Sequence, residues 1–455
     1  MARPPSTTEA RRLAWQVLNA VEQGAFADAA LAERLRAASL DARDRGLATQ
    51  LVYGTLAWQG LLDHAIAQAG RDPLQLDTPV RTLLRLALFQ LVRLERIPDF
   101  AAVDTAVELS KEFKRGAASA LINAVLRGFL RGGKHIDLPA RDTDPAGHLA
   151  AALSHPRWLV ERWFAELGSA ETAALLAANN TPAPTVLRVN RRRTDAARLS
   201  AALAARGISV MPAAYAPDAL IVEASGEPSA LPGFRDGWFS PQGEASQLVV
   251  AMLDPPAGAR VLDASAAPGG KTTAIAERIG YEGFVVAVDR RHRGLRHIER
   301  TAARLGLANI GVLQADAARL PLDLTWSAEA VLVDAPCSGL GTLRQHPEIR
   351  WRRTPPDIDR LAALQLRLLE GAAPYVAPRG ALVYATCTIS APENADVVDR
   401  FVAVHPEFAI DDPRARLPPS AQQLVDRRGF LQTLPHRHGL DGFFAARLVR
   451  RGDRT

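Results

Sequence analysis

From residue 259 onward, short apolar runs alternate with helical stretches, and each run closes on aspartate, glycine, proline or cysteine chemistry. The runs are Ala259–Asp263, Phe284–Asp289, Ile310–Leu313, Ala330–Asp334 and Ala381–Thr386. Continuous apolar runs of this length, separated by helices, predict a mostly parallel, doubly wound sheet. A final run, Gly442–Val449, reads as an edge strand. Sheets of this kind bind ligands outside the carboxyl ends of their strands. The residues just beyond each run are therefore the candidates for chemistry.

The first run leads into Asp263-Ala264-Ser265-Ala266-Ala267-Pro268-Gly269-Gly270-Lys271-Thr272, a strand, a glycine turn and the start of a helix. Two glycines let backbone approach a ligand closely, and a helix N-terminus offers unpaired N–H groups. The phosphate loop G-x-x-x-x-G-K-[ST] is excluded, because Ser265 stands where its first glycine belongs. The dinucleotide fingerprint G-x-G-x-x-G is absent as well. Asp263 suits an ammonium group, which a pyrophosphate lacks. Asp289 closes the second strand, 26 residues after Asp263, where an acidic side chain grips ribose hydroxyls. Asp316, after the third strand, is placed to hold an adenine edge. Any one of these has a bland explanation, since aspartate favours turns. Together they point to an adenosine-bearing cationic cofactor, and S-adenosylmethionine fits best.

The chain has only two cysteines, Cys337 and Cys387, and each follows a predicted strand. A lone apolar cysteine is ordinarily core packing. Two of them, both at strand ends downstream of a cofactor loop, read instead as thiols that take part in chemistry. Two cysteines make no disulfide framework, and a thiol mechanism needs a reducing compartment. The first dozen residues lack an apolar signal core, and no apolar run reaches the length of a membrane span. A cytoplasmic protein without metal, expected to be monomeric, follows. Its net charge of +6 is compatible with a polyanionic partner without requiring one.

Upstream of the alternation the pattern differs. Residues 1–131 read as entirely helical, with Leu13, Val17, Leu18 and Val21 at helical spacing, and likewise Leu47, Leu51, Leu56 and Leu84, Leu88, Leu91. Arg43, Arg45, Arg81, Arg85 and Arg115 lie on the opposite faces, as solvated surface or as phosphate contacts. Residues 132–148 are rich in turn formers and read as a linker. Residues 149–235 read as a small α+β module and residues 236–451 as the Rossmann-like catalytic domain.

The motifs together resemble the Sun-type (Fmu) RNA cytosine-C5 methyltransferases. The resemblance rests on the cofactor run at 263–272, on Asp334-Ala-Pro-Cys337-Ser-Gly-Leu-Gly, and on His346-Pro-Glu-Ile-Arg350-Trp351. Thr386-Cys387-Thr388, Asp441-Gly-Phe-Phe, Ser154-His-Pro-Arg-Trp158 and Leu187-Arg-Val-Asn190 add to it. The N-terminal region is similar to NusB-like domains, as in the bacterial branch that methylates 16S ribosomal RNA. The sequence departs from the family pattern at Ser265, where cysteine is usual, at Thr388, where serine is usual, and at Gly243-Glu244 after Gln242, where aspartate is common.

The resemblance implies S-adenosylmethionine-dependent methylation of cytosine C5. Cys387 would be the nucleophile at C6, Cys337 would assist product release, and Asp334 would hydrogen-bond the base or touch the cofactor. Lys271 would favour the thiolate or form a surface ion pair. Arg344, His346, Arg350, Trp351, Arg352 and Arg353 set charge and an aromatic beside the active-site strand, and are expected to face RNA. A transfer-RNA methyltransferase with the same core, and an assembly factor without catalysis, are the alternatives. Ser390-Ala-Pro-Glu393 fits a helix capping box.

Overall fold

The computed structural model describes residues 6–112, 116–223 and 227–452, so Arg115 lies outside the described residues. The chain divides into two compact units, Met1–Pro182 with Leu343–Arg352, and Ala183–Thr342 with Arg353–Thr455.

The first unit is helical. Seven helices run from Ser6–Glu22 to Gly116–Arg131, and three more follow at Pro145–Ala152, Arg157–Leu167 and Ser169–Asn179. The apolar positions read from the periodicity are its core: Leu13, Val17, Leu18, Val21, Leu51, Leu56, Leu84, Leu88 and Leu91 are all buried. The turn-rich stretch ends sooner than its composition indicates. Asp144 accepts a hydrogen bond from the Gly147 amide (3.0 Å) and starts a helix at Pro145. The helices 157–167 and 169–179 belong to this unit. Arg85 is not a phosphate contact. It is buried, and its guanidinium pairs with Asp63 and Glu22 at 2.6 and 2.7 Å.

The visiting segment Leu343–Arg352 carries the short helix Ile349–Arg352. Arg350 is fully buried there and donates to Ser154 O (3.0 Å), Asn180 Oδ1 (2.8 Å), Ala57 O (3.3 Å) and Asn179 O (3.3 Å). Burial lowers its pKa to about 9. Arg352 donates to Val21 O (2.8 Å) and Ala25 O (2.6 Å), just beyond the first helix. Glu348 accepts from the Ala27 amide (3.0 Å) and so holds the start of the helix Ala27–Ala37. Trp351 lies so close over Gly60 that a Cβ there would meet the indole at 2.6 Å.

The second unit holds two sheets. Strands β1 (Thr185–Val189), β2 (Ser209–Pro212), β3 (Ala219–Glu223) and β4 (Phe239–Pro241) form an antiparallel sheet in the order β2-β3-β1-β4. The helix Ala196–Ala204 packs Leu199 and Leu203 against Leu187, Val189 and Leu220 of that sheet.

The larger sheet comprises β5 (Arg260–Asp263), β6 (Phe284–Asp289), β7 (Ile310–Gln314), β8 (Ala328–Asp334), β9 (Val376–Thr386), β10 (Phe408–Ile410), β11 (Phe430–Thr433) and β12 (Phe443–Arg450). Its order is β10-β12-β9-β8-β5-β6-β7, with β11 on β12. The pairs from β9 to β7 are parallel, whereas β12 is antiparallel to β9, β10 and β11. The run at 442–449 is thus interior to the sheet, with β10 and β11 beyond it. Apolar residues of β5, β8 and β9 are completely buried on both faces, which is why these strands read as unbroken hydrophobic runs. The chain goes from β5 outward through β6 and β7, then returns to β8 on the other side of β5. That reversal makes a crevice at the carboxyl ends of β5 and β8.

Candidate active site

The sheet register brings the predicted residues to one edge. Asp263 closes β5, Asp289 closes β6, Asp334 closes β8, and Cys387 follows β9 directly. Asp316 lies two residues beyond β7, where its Oδ1 accepts from the Ala318 amide (3.0 Å).

The glycine turn builds the cofactor side. Gly269 caps the helix Gly270–Ile279 with φ of +103°, and a Cβ there would meet Ile298 at 2.8 Å, so both backbone and space demand glycine. Asp289 Oδ2 accepts from the Ala267 amide (3.1 Å) and Oδ1 from the Arg291 amide (2.8 Å), which fixes the turn against the end of β6. Thr272 Oγ1 donates to Asp263 Oδ2 at 2.6 Å. Asp263 is 1% exposed, its Oδ1 has no hydrogen-bond partner, and burial raises its pKa to about 7. A half-satisfied buried carboxylate beside a helix start fits a ligand that brings an ammonium group. The helix itself is held from below: Arg188 of β1 donates to Glu277 Oε2 (2.8 Å) and Thr273 Oγ1 (3.1 Å). Asn190 Nδ2 donates to Gly237 O and Leu305 O (2.9 and 3.1 Å). The Leu187–Asn190 motif is therefore a brace between the small sheet and the cofactor helix.

On the other side, Lys271 Nζ sits 2.6 Å from Asp334 Oδ2 and 5.2 Å from the centroid of the Phe443 ring. The Cys337 and Cys387 Sγ atoms lie 3.3 Å apart. The contact with Cys387, and burial after it, push the Cys337 thiol well above the usual range. Two glycines let the surrounding loops close: Gly341 donates to Cys387 O (3.0 Å) and accepts from the Gly442 amide (2.7 Å).

Sequence reasoning missed the groups that hold the thiols. Ser338 Oγ and Thr388 Oγ1 meet at 2.8 Å between the two loops. Asn394 accepts from Thr386 Oγ1 (2.6 Å) and donates to Thr388 O (3.0 Å), clasping both flanks of Cys387. Glu393 does not close a capping box with Ser390, whose side chain makes no cap. It accepts instead from the Ser338 amide (2.8 Å) and Gln365 Nε2 (3.0 Å). The basic cluster also divides differently from expectation. Arg350 is fully buried and spends its guanidinium on acceptors of the first unit; Arg352, half-buried, donates to carbonyls of the same unit, and Trp351 covers Gly60. Arg344 donates to Pro182 O (3.0 Å), and His346 is half-buried in the same unit. Arg353 stays with the site, donating to Ser338 O (2.8 Å) and Cys337 O (3.4 Å).

A sheet reversed at β5, with its glycine turn and its row of strand-end aspartates, is that of a Rossmann-like, S-adenosylmethionine-dependent methyltransferase. Residues 250–449 match the family of 16S rRNA methyltransferases RsmB/F, residues 8–131 the NusB family, and residues 155–227 the ferredoxin-like domain of RsmF/B-like methyltransferases. The chain is 37% identical over 450 residues to a probable ribosomal RNA small subunit methyltransferase B of Bacillus subtilis (strain 168), covering 98% of this chain and 99% of that one. It is 35% identical over 423 residues to the ribosomal RNA small subunit methyltransferase B of Pseudomonas putida, covering 90% and 92%. The crystal structure of PH0851 matches with a TM-score of 0.85 at 27% identity, over 98% of this chain and 99% of that chain. NSun6 from Pyrococcus horikoshii with SFG shares the fold, with a TM-score of 0.58 at 23% identity over 66% of this chain and 99% of that one. The chain belongs to the RsmB/F family, and it is an S-adenosylmethionine-dependent RNA cytosine-C5 methyltransferase. Among the described residues no helix is long and apolar enough to cross a membrane, and no group of His, Cys, Asp or Glu is placed to hold a metal ion.

Proposed function

We propose that the protein methylates C5 of a cytosine in 16S ribosomal RNA through a covalent adduct between Cys387 and cytosine C6. The substrate follows from the relatives named for the small ribosomal subunit and from the NusB-like region. The chemistry rests on one observation, the 3.3 Å approach of two thiols at the ends of neighbouring parallel strands.

Cytosine C5 is too weak a nucleophile to take a methyl group unaided. Addition of a thiolate to C6 makes the ring enamine-like and loads electron density onto C5. The bound cofactor supplies an electrophilic methyl group. Loss of the C5 proton and elimination of the thiolate then release the product. Cys387, directly after β9, is the nucleophile in this reading, and Cys337 is its neighbour at the end of β8. Cys337, 3.3 Å from Cys387, is in place to assist product release. Lys271 holds Asp334 by Oδ2, leaving the carboxylate at the end of β8 to meet the N3/N4 edge of the base. The base must be unpaired or turned out of a helix for Cys387 to reach C6. Two thiols this close stay reduced only in a reducing compartment, which supports a cytoplasmic enzyme.

The test is incubation with methyl-labelled cofactor and unmodified 16S or transfer RNA, with the label mapped by nuclease digestion and mass spectrometry. The expected result is 5-methylcytosine in 16S RNA, lost in Cys387→Ala with cofactor binding intact. Label in transfer RNA alone would overturn the substrate, and turnover by Cys387→Ala would overturn the nucleophile.

A further inference from the structure

The mechanism uses two thiols, yet neither thiol fixes its own position. Cys337 lies on the loop that leaves β8, where Gly339 turns the chain with φ of +74°. The loop is held by a residue 55 positions beyond Ser338. Glu393 is completely buried, and its Oε1 accepts from the Ser338 amide at 2.8 Å and from Gln365 Nε2 at 3.0 Å. Gln365 also donates to Pro336 O (3.0 Å), so the pair grips the loop on both sides of Cys337. Tyr384 OH donates to the Glu393 carbonyl, tying the same residue to β9 three residues ahead of Cys387. A buried carboxylate is expensive to desolvate and persists only where its hydrogen bonds matter. Its other oxygen, Oε2, has no hydrogen-bond partner, so the residue is not optimised for stability.

We propose that Glu393 is a positioning residue of the methyl-transfer cycle: by gripping the Ser338 amide, its carboxylate holds the Cys337 thiol against Cys387 for product release. This rests on the roles given to the two cysteines above. Asn394, the next residue, clasps Thr386 and Thr388 around Cys387, so one dipeptide sets both thiols. Arg353 Nε, bonded to Ser338 O, holds the loop from its other face.

The test compares Glu393→Ala, Glu393→Gln and Cys337→Ala with the full-length enzyme on 16S RNA. Two quantities are read: turnover, and the covalent protein–RNA adduct that survives a denaturing gel. Glu393→Ala is expected to lose about 100-fold in turnover, as for a reacting group displaced by about 1 Å, and to accumulate adduct as Cys337→Ala does. Glu393→Gln keeps an acceptor at the Oε1 position and is expected to recover at least about tenfold of that loss. Loss of turnover without adduct in both Glu393 variants would mean a merely structural role and overturn the proposal. So would Glu393→Ala turnover within about threefold of the wild type. If Cys337→Ala itself accumulates no adduct, the reading of the cysteines fails first, and the proposal falls with it.

Discussion

Replacing Gly341 by alanine tests the geometry around Cys387 most directly. A Cβ at this position would lie 1.8 Å from Gly442 O and 2.8 Å from Gly442 Cα. Real Cβ contacts do not fall below 3.0 Å, so the two backbones must part by about 1.2 Å, an overpacking of the kind that costs about 1–3 kcal/mol. Neither side has slack. Gly442 is itself packed on Ile389, where an added Cβ would sit 2.5 Å from Cγ2, and the Gly341–Gly442 hydrogen bond is 2.7 Å long. The movement is therefore passed to the Gly341 amide, which holds Cys387 O at 3.0 Å. A displacement of this size at a nucleophile costs about 100-fold in kcat. The hydrogen bonds of Gly341 go to Cys387 and Gly442 and not to the cofactor turn at the end of β5, so cofactor affinity is expected to stay as in the wild type. Single-turnover methyl transfer, cofactor titration and thermal unfolding measured on Gly341→Ala give the three numbers. Methyl transfer within about threefold of wild type would refute the claim that this close approach positions Cys387.

Two further outcomes are expected. Arg350→Met keeps the aliphatic stem but strips four acceptors, two of them fully buried, of their donor, and should destabilise the helical unit by about 1–3 kcal/mol in urea titrations followed by helical ellipticity; a loss below about 0.5 kcal/mol would contradict the network. Asp263, with its pKa raised from 3.8 to about 7, takes up a proton on folding at intermediate pH. Its contribution to the stability of the cofactor-free protein is fully present below the unfolded value of 3.8 and is lost as pH rises towards 7. A cationic cofactor needs the carboxylate, so its affinity should rise between about pH 5.5 and 7 and Asp263→Asn should flatten that rise; calorimetric titration across this range showing the same slope in both proteins would dismiss the role.

The catalytic sheet was legible because its signals are local. The central strands β5, β8 and β9 are apolar runs with both faces buried, and the residues that close or follow β5, β8 and β9, Asp263, Asp334 and Cys387, report their task by type. The helical unit was legible for the same reason, through the spacing of Leu13, Val17 and Leu84. What could not be read depends on distant partners. Ser390-x-x-Glu393 has the spacing of a capping box, but the Ser338 amide, far away in sequence, wins the carboxylate. Arg350 and Arg352 look like a basic patch because charge is visible in a sequence and helix-end carbonyls are not. A guanidinium offers five donors in a fixed fork, and three or four carbonyls converging on one point outweigh solvent. What covers the helix at 157–167 was not legible, for a related reason. Amphipathic spacing says that a helix has a buried face without saying what covers it.

The loan of Leu343–Arg352 to the helical unit has a consequence for how this polypeptide can be taken apart. The chain leaves the second unit, contributes ten residues to the first, and returns. No single cut separates them. A fragment beginning at residue 183 would carry Ile349 and Arg350 into water with nothing to cover them. One ending at residue 182 would leave the Ser154 carbonyl and the Ala27 amide without their partners. Either unit expressed alone would therefore lack a part of its own packed interior or carry a segment that belongs elsewhere.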